Sequence, residues 1–112
     1  MNPDVVHGND WRSLDPGKIG RWTPTRRVTV VVPCYNGQEP LALTFAALAN
    51  QTYPMDLLEV VIADDGSDPP ITVPPGTPFE ARVVAQERAG FGLARARNTG
   101  AAAATGSILV FL

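Results

Sequence analysis

The chain has 112 residues, 45% hydrophobic and 18% charged, with a formal net charge of −2. Such a length and balance describe one small globular domain able to bury a core. They exclude the basic footprint of a nucleic-acid binder and the polybasic patch that attracts anionic lipid. Cys34 is the only cysteine, so no intramolecular disulfide can form, which fits a reducing compartment. The first thirty residues hold no apolar core of secretory type, so no signal peptide is expected. No apolar run approaches the roughly eighteen residues of a membrane-spanning helix.

Residues 1–26 show no period and carry Pro3, Gly8, Pro16, Gly17, Gly20 and Pro24. They read as an irregular leader, with Trp11 and Trp22 docking it on the domain. Val28-Thr29-Val30-Val31-Val32 is a β-branched run, as in a strand buried on both faces. From Glu39 to Gln51 the spacing of Leu41, Phe45 and Leu48 predicts a helix, with Pro40 suited to its first turn. Leu58 to Ala63 is a second strand, stopped by Asp64-Asp65-Gly66-Ser67. Residues 68–79 hold five prolines and read as a loop. Ala81 to Ala85 is a third, shorter strand. Gly92 to Ala104 is an Ala-rich helix, with Gly106 placed to end it. Ser107 to Leu112 begins a fourth strand, whose outer edge is expected to lie open.

Strands alternating with crossovers predict an α/β fold with a parallel sheet. Right-handed crossovers lead to strand order 3-2-1-4, with a switch point between the first and fourth strands. Ligands in such sheets bind beyond the carboxyl ends of the strands at that point. Two segments therefore meet there: Pro33-Cys34-Tyr35-Asn36 and Asp64-Asp65-Gly66-Ser67-Asp68. The acidic segment has two readings. It is a polar turn closing a strand, or it offers a carboxylate to a ribose hydroxyl or a base N–H.

Neither Gly-x-Gly-x-x-Gly after the first strand nor a Walker motif is present. No glycine-rich loop cradles a pyrophosphate at the first helix, and phosphates held here would need arginines or a metal. Gly90 and Gly92 would let backbone approach a ligand, and Arg88 could reach a phosphate. Arg95 and Asn98 share a helix face, Arg97 reads equally as a solvated charge, and Gly100 permits close helix–sheet packing. Cys34 lacks a neighbouring base, and the only histidine is His7. It therefore reads as a small buried filler.

Five blocks carry a resemblance: Val28–Asn36, Leu48–Tyr53, Glu59–Asp68, Gly92–Gly100 and Ala104–Leu112. In this order and spacing they resemble family-2 inverting glycosyltransferases of the Rossmann-like GT-A fold, over residues 27–112. The resemblance implies a nucleotide-sugar donor, most often a UDP-sugar, and transfer with inversion to an acceptor hydroxyl. It implies that Pro33, Tyr35 and Asn36 border the nucleotide, with Glu39 near it at the helix start. Asp65 would face the uracil with Asp64 beside it, and Arg88 would lie near the diphosphate. In the family the strand matching 107–112 runs into an Asp-x-Asp motif that binds Mn or Mg. That motif, the catalytic base and the acceptor site are expected beyond Leu112, so the chain reads as an incomplete, nucleotide-binding fragment. No metal site is expected on the chain itself. A cytoplasmic location is implied, at the inner membrane surface in a full-length form. The proline-rich stretch departs from relatives that carry a helix there. Two alternatives stand beside this reading. One is a non-catalytic nucleotide-binding fragment. The other is a nicotinamide-dependent dehydrogenase, against which the missing glycine fingerprint counts.

Overall fold

Among the described residues, four strands and two helices follow this pattern. They are β1 (Val28–Cys34), α1 (Gln38–Ala49), β2 (Leu58–Asp64), β3 (Glu80–Ala85), α2 (Leu93–Ala103) and β4 (Ile108–Phe111), with a 3₁₀ turn at Met55–Leu57 leading into β2. The structure, a computed structural model, describes residues 22–90 and 92–112. All strand pairs are parallel and the order is β3-β2-β1-β4, as the crossover argument predicts. The fold is α/β and Rossmann-like. Among the described residues no helix is long and apolar enough to cross a membrane.

Alternation along each strand divides the sheet into two faces. One face carries Val30, Val32, Leu58, Val60 and Ile62, packed with Leu41 and Phe45 of α1. The loop between β2 and β3 covers the rest of this face without a helix. Its Ile71 and Phe79 are buried in the same cluster, and Phe79 meets Phe45 with ring centroids 5.3 Å apart. Prolines limit the loop's backbone freedom in the unfolded chain, so ordering it costs less entropy than an equally long flexible loop would. The other face carries Val31 and Ala63 and receives α2. A methyl group on Gly100 would sit 2.3 Å from Val31 Cγ1. Glycine here is what lets the helix lie against the sheet.

The sequence pattern did not single out Glu59, whose side chain is fully buried on the α2 face. Thr29 Oγ1 donates to its Oε2 at 2.5 Å, and the Thr105 N–H and hydroxyl donate at 2.9 and 3.0 Å. Arg82 of β3 donates to Oε1 and also to the carbonyl of Ala103 at the end of α2. Thr29 Oγ1 in turn accepts the Gly106 N–H at 2.9 Å. Gly106 therefore has a different role from the one predicted. The helix already ends at Ala103, and Ala104 is extended. Gly106 is small because a methyl group there would lie 2.6 Å from Thr29 Oγ1 and 2.7 Å from its backbone nitrogen.

At the sheet edge, Ile108 to Leu112 are all 40% or more exposed. Trp22 lies beside Tyr53 with centroids 6.5 Å apart, yet stays largely exposed. Trp11, His7 and most of the expected leader lie outside the described residues.

Burial pushes the Glu59 carboxyl upward, but the hydrogen bonds from Thr29, Thr105 and Arg82 outweigh it and hold its pKa at about 2. That lies below an unfolded glutamate at about 4.3. Its contribution is therefore complete above about pH 5 and is lost as the pH falls toward 2. The shift corresponds to on the order of 3 kcal/mol. Glu59→Gln should lower the urea midpoint at pH 7 and flatten the acid loss between pH 5 and 3. Urea titrations across that range check this, and an unchanged acid slope in the variant would refute it.

Candidate functional site

Because β1 and β2 run parallel in register from Val28↔Leu58 to Cys34↔Asp64, both strands end on the same edge. The sheet pairing continues one step further, as Asp65 N–H donates to the Cys34 carbonyl at 2.9 Å. Two neighbouring carboxylates, Asp64 and Asp65, then leave on opposite faces of the sheet, and their fates separate.

Asp64 turns toward the α1 side. Its Oδ1 accepts the Ser67 N–H at 3.0 Å and its Oδ2 the Ile71 N–H at 3.1 Å. Burial raises its carboxyl pKa, and the bonds from Ser67 and Ile71 more than reverse that, leaving it below the ordinary value. Asp64 holds the proline-rich loop and does not line the cleft.

Asp65 turns toward α2. The cleft there has a volume of about 150 Å³ and is lined by Pro33, Cys34, Tyr35, Asp65, Arg88, Gly92, Leu93 and Ala96. The Asp65 side chain is 8% exposed. Gln86 Nε2 donates to Oδ1 at 2.9 Å and Arg88 Nη1 to Oδ2 at 3.0 Å. The Arg88 guanidinium also stacks on the Tyr35 ring, 3.6 Å from its centroid, an attractive placement for a cation. Two glycines make room for this arrangement. A methyl group on Gly92 would lie 3.0 Å from Asp65 Oδ1. Gly66, at φ +72°, would place one 2.8 Å from Arg88 Cβ.

Of the residues drawn from the sequence, Pro33, Tyr35, Asp65 and Arg88 thus converge on one cleft. Asn36 sits at its rim in the left-handed region, φ 52°. Its N–H donates to Ser67 Oγ at 2.8 Å, and its Oδ1 accepts the Asp68 N–H at 2.9 Å. Asn36 therefore ties the two strand-end loops together. Glu39 is exposed in the first turn of α1 and is not among the cleft residues. Arg88 is held at Asp65, where the resemblance put it near a diphosphate. Arg95 donates to the Glu87 carbonyl at 3.0 Å, while Arg97 and Asn98 are exposed. Gln86 was missed. Its only signal is its position, one residue past β3 on the same edge. Cys34 packs against the core, and burial pushes its thiol pKa up, as suits a filler.

Among the described residues no group of three or more His, Cys, Asp or Glu side chains could hold a metal ion. Both oxygens of Asp64 and both oxygens of Asp65 accept hydrogen bonds from N–H donors.

With this geometry in view, the comparisons are specific. Residues 29–112 match the model of "Glycosyl transferase family 2". The chain is 40% identical over 89 residues to validoxylamine A glucosyltransferase of Streptomyces hygroscopicus subsp. jinggangensis, covering 76% of this chain and 21% of that protein. It is 34% identical over 88 residues to glycosyltransferase AglE of Haloferax volcanii, covering 76% and 29%. Mannosyltransferase PcManGT from Pyrobaculum calidifontis, solved in complex with GDP-Man and Mn2+, matches with a TM-score of 0.57 and 35% identity, covering 78% of this chain and 27% of that one. The chain belongs to glycosyl transferase family 2 and has its GT-A-like parallel sheet. It spans between a fifth and a third of the length of these relatives.

The two aspartates should respond differently to truncation. Asp64→Ala leaves two loop N–H groups without their acceptor and should cost about 1–3 kcal/mol of stability. Asp65→Ala releases Gln86 and Arg88 toward solvent and should cost less. Thermal melts of both variants test the division, and an equal or larger loss for Asp65→Ala would overturn it.

Proposed function

We propose that this chain supplies the nucleotide-binding part of an inverting glycosyltransferase whose donor is a nucleoside-diphosphate sugar, with UDP as the nucleotide. The observation that carries the reading is Asp65. It is a nearly buried carboxylate that reaches a cleft at the carboxyl ends of parallel strands, beside an exposed aromatic ring and a glycine at a helix start. Such an oxygen accepts a ring N–H of a base, and the Tyr35 ring offers a stacking surface. Arg88, freed from that ring, can donate to the carbonyl next to the N–H. The site therefore suits uracil, whose N3–H lies between two carbonyls. Pro33 forms the floor beside the base. Asn36 holds the loop shape, and Asp64 serves the nucleotide through that loop rather than by contact.

On this reading the complete enzyme transfers the sugar to an acceptor hydroxyl. A general base deprotonates that hydroxyl, which attacks the anomeric carbon from the side opposite the departing diphosphate. The base, and the Mn or Mg of the complete enzyme, belong to residues other than those described. The family, the glucosyltransferase relatives and the GDP-Man-bound neighbour support a nucleotide-sugar donor.

Asp65→Ala should weaken UDP binding by about 1–3 kcal/mol, the cost of an unpaired buried donor. Titration calorimetry with UDP measures this. Equal affinity in wild type and variant would sink the assignment of Asp65 to the base.

A further inference from the structure

Gln86 is fixed from two sides. Its backbone N–H donates to the Asp64 carbonyl at 2.8 Å, extending the β2–β3 pairing by one rung. Its side-chain Oε1 accepts the Thr99 hydroxyl at 2.7 Å. With Oε1 engaged by that donor, Nε2 faces Asp65 Oδ1. Thr99 reaches it because its neighbour Gly100 lets α2 lie against Val31 and Ala63. A chain of donors thus runs from α2 through Gln86 to Asp65.

Arg88 is placed otherwise. Its guanidinium rests on Tyr35, a ring 48% exposed. A base that stacks on Tyr35 must displace it. Gln86 lies outside the set of cleft-lining residues and has no need to move. Without Gln86, the carboxylate would keep Arg88 as its only side-chain donor among the described residues and could follow it out of the cleft.

We propose that Gln86, locked by Thr99, is a positioning residue that keeps the Asp65 carboxylate turned into the cleft, and that this fixed acceptor beside Arg88 selects bases with a ring N–H next to a carbonyl. This rests on the nucleotide reading of the cleft. Uracil and guanine present that pattern. Cytosine and adenine present an unprotonated ring nitrogen beside an amino group, so a lone pair would face the carboxylate and N–H groups would face the guanidinium. A carboxylate free to turn loses this discrimination.

Two measurements on the full chain test this. In the nucleotide-free protein, the side-chain amide signals of Gln86 followed by NMR should shift in both Asp65→Asn and Thr99→Val. Calorimetry should then show UDP and GDP binding more tightly than CDP and ADP. Gln86→Leu should weaken UDP binding about tenfold, the scale of a hydrogen bond to a charged group, while leaving ADP nearly unchanged. Thr99→Val should act in the same direction with a smaller loss, and it serves if Gln86→Leu fails to fold. Gln86 signals unmoved in both variants would overturn the relay, whatever nucleotides bind. An unchanged UDP-to-ADP affinity ratio in Gln86→Leu would overturn the selectivity. Shifted signals with no nucleotide bound by any form would establish the relay but defeat the nucleotide reading and its base preference.

Discussion

A buried carboxylate at the amino end of the central strand is the interaction on which the rest depends. The Glu59 side chain is fully buried, so each of its oxygens must be met by a donor from the protein. Those donors come from Thr29 of β1, Arg82 of β3 and Thr105 in the turn after α2. One side chain thereby fixes three separate elements relative to β2. Arg82 also serves the last turn of α2, where a cation meets the negative end of the helix and an orphan carbonyl. No side-chain N or O buried from solvent is left without a partner among the described residues. Removing one member of such a network costs more than a surface ion pair would, because the remaining charge is stranded.

The opposite end of β2 works by the same physics with a different outcome. Alternation sends Asp64 to one face and Asp65 to the other. Asp64 finds backbone donors in its own loop and becomes structural. Asp65 meets side-chain donors and the space beside Gly92, and so faces the cleft. The cleft is thus a consequence of parallel pairing, which brings two strand ends together, and of a helix close enough to wall them in. Gly100 sets that closeness, and Gly66 and Gly92 leave the space that Arg88 and Asp65 fill.

The proline-rich segment covers its face of the sheet without a helix. The sheet face beneath it needs apolar cover, and the physical requirement is burial, not helicity. Ile71 and Phe79 meet that need, with Asp64 tying the loop down from inside. The site edge is then held by the strand ends and by α2. Membership of glycosyl transferase family 2 is accordingly visible in the sheet and its edge, whatever fills the β2–β3 crossover.

The sequence by itself determined the parallel order β3-β2-β1-β4, the edge at which the cleft opens, and four of the residues that meet there. These were legible because β-branched runs, helical spacing and strand-ending motifs are local signals, and crossover handedness leaves few topologies. The tertiary structure alone decided three other matters. It split Asp64 from Asp65, because the pattern gives alternation but does not tell which face α2 will cover. It made Glu59 the hub of the sheet, because a glutamate in an apolar run shows nothing of donors 23, 30 and 46 residues away. It reassigned Gly106 from helix ending to close packing on Thr29 and joined Gln86 to Asp65. Each of these depends on which atoms come within a few ångströms after folding, and that distance is not encoded in any short stretch of residues.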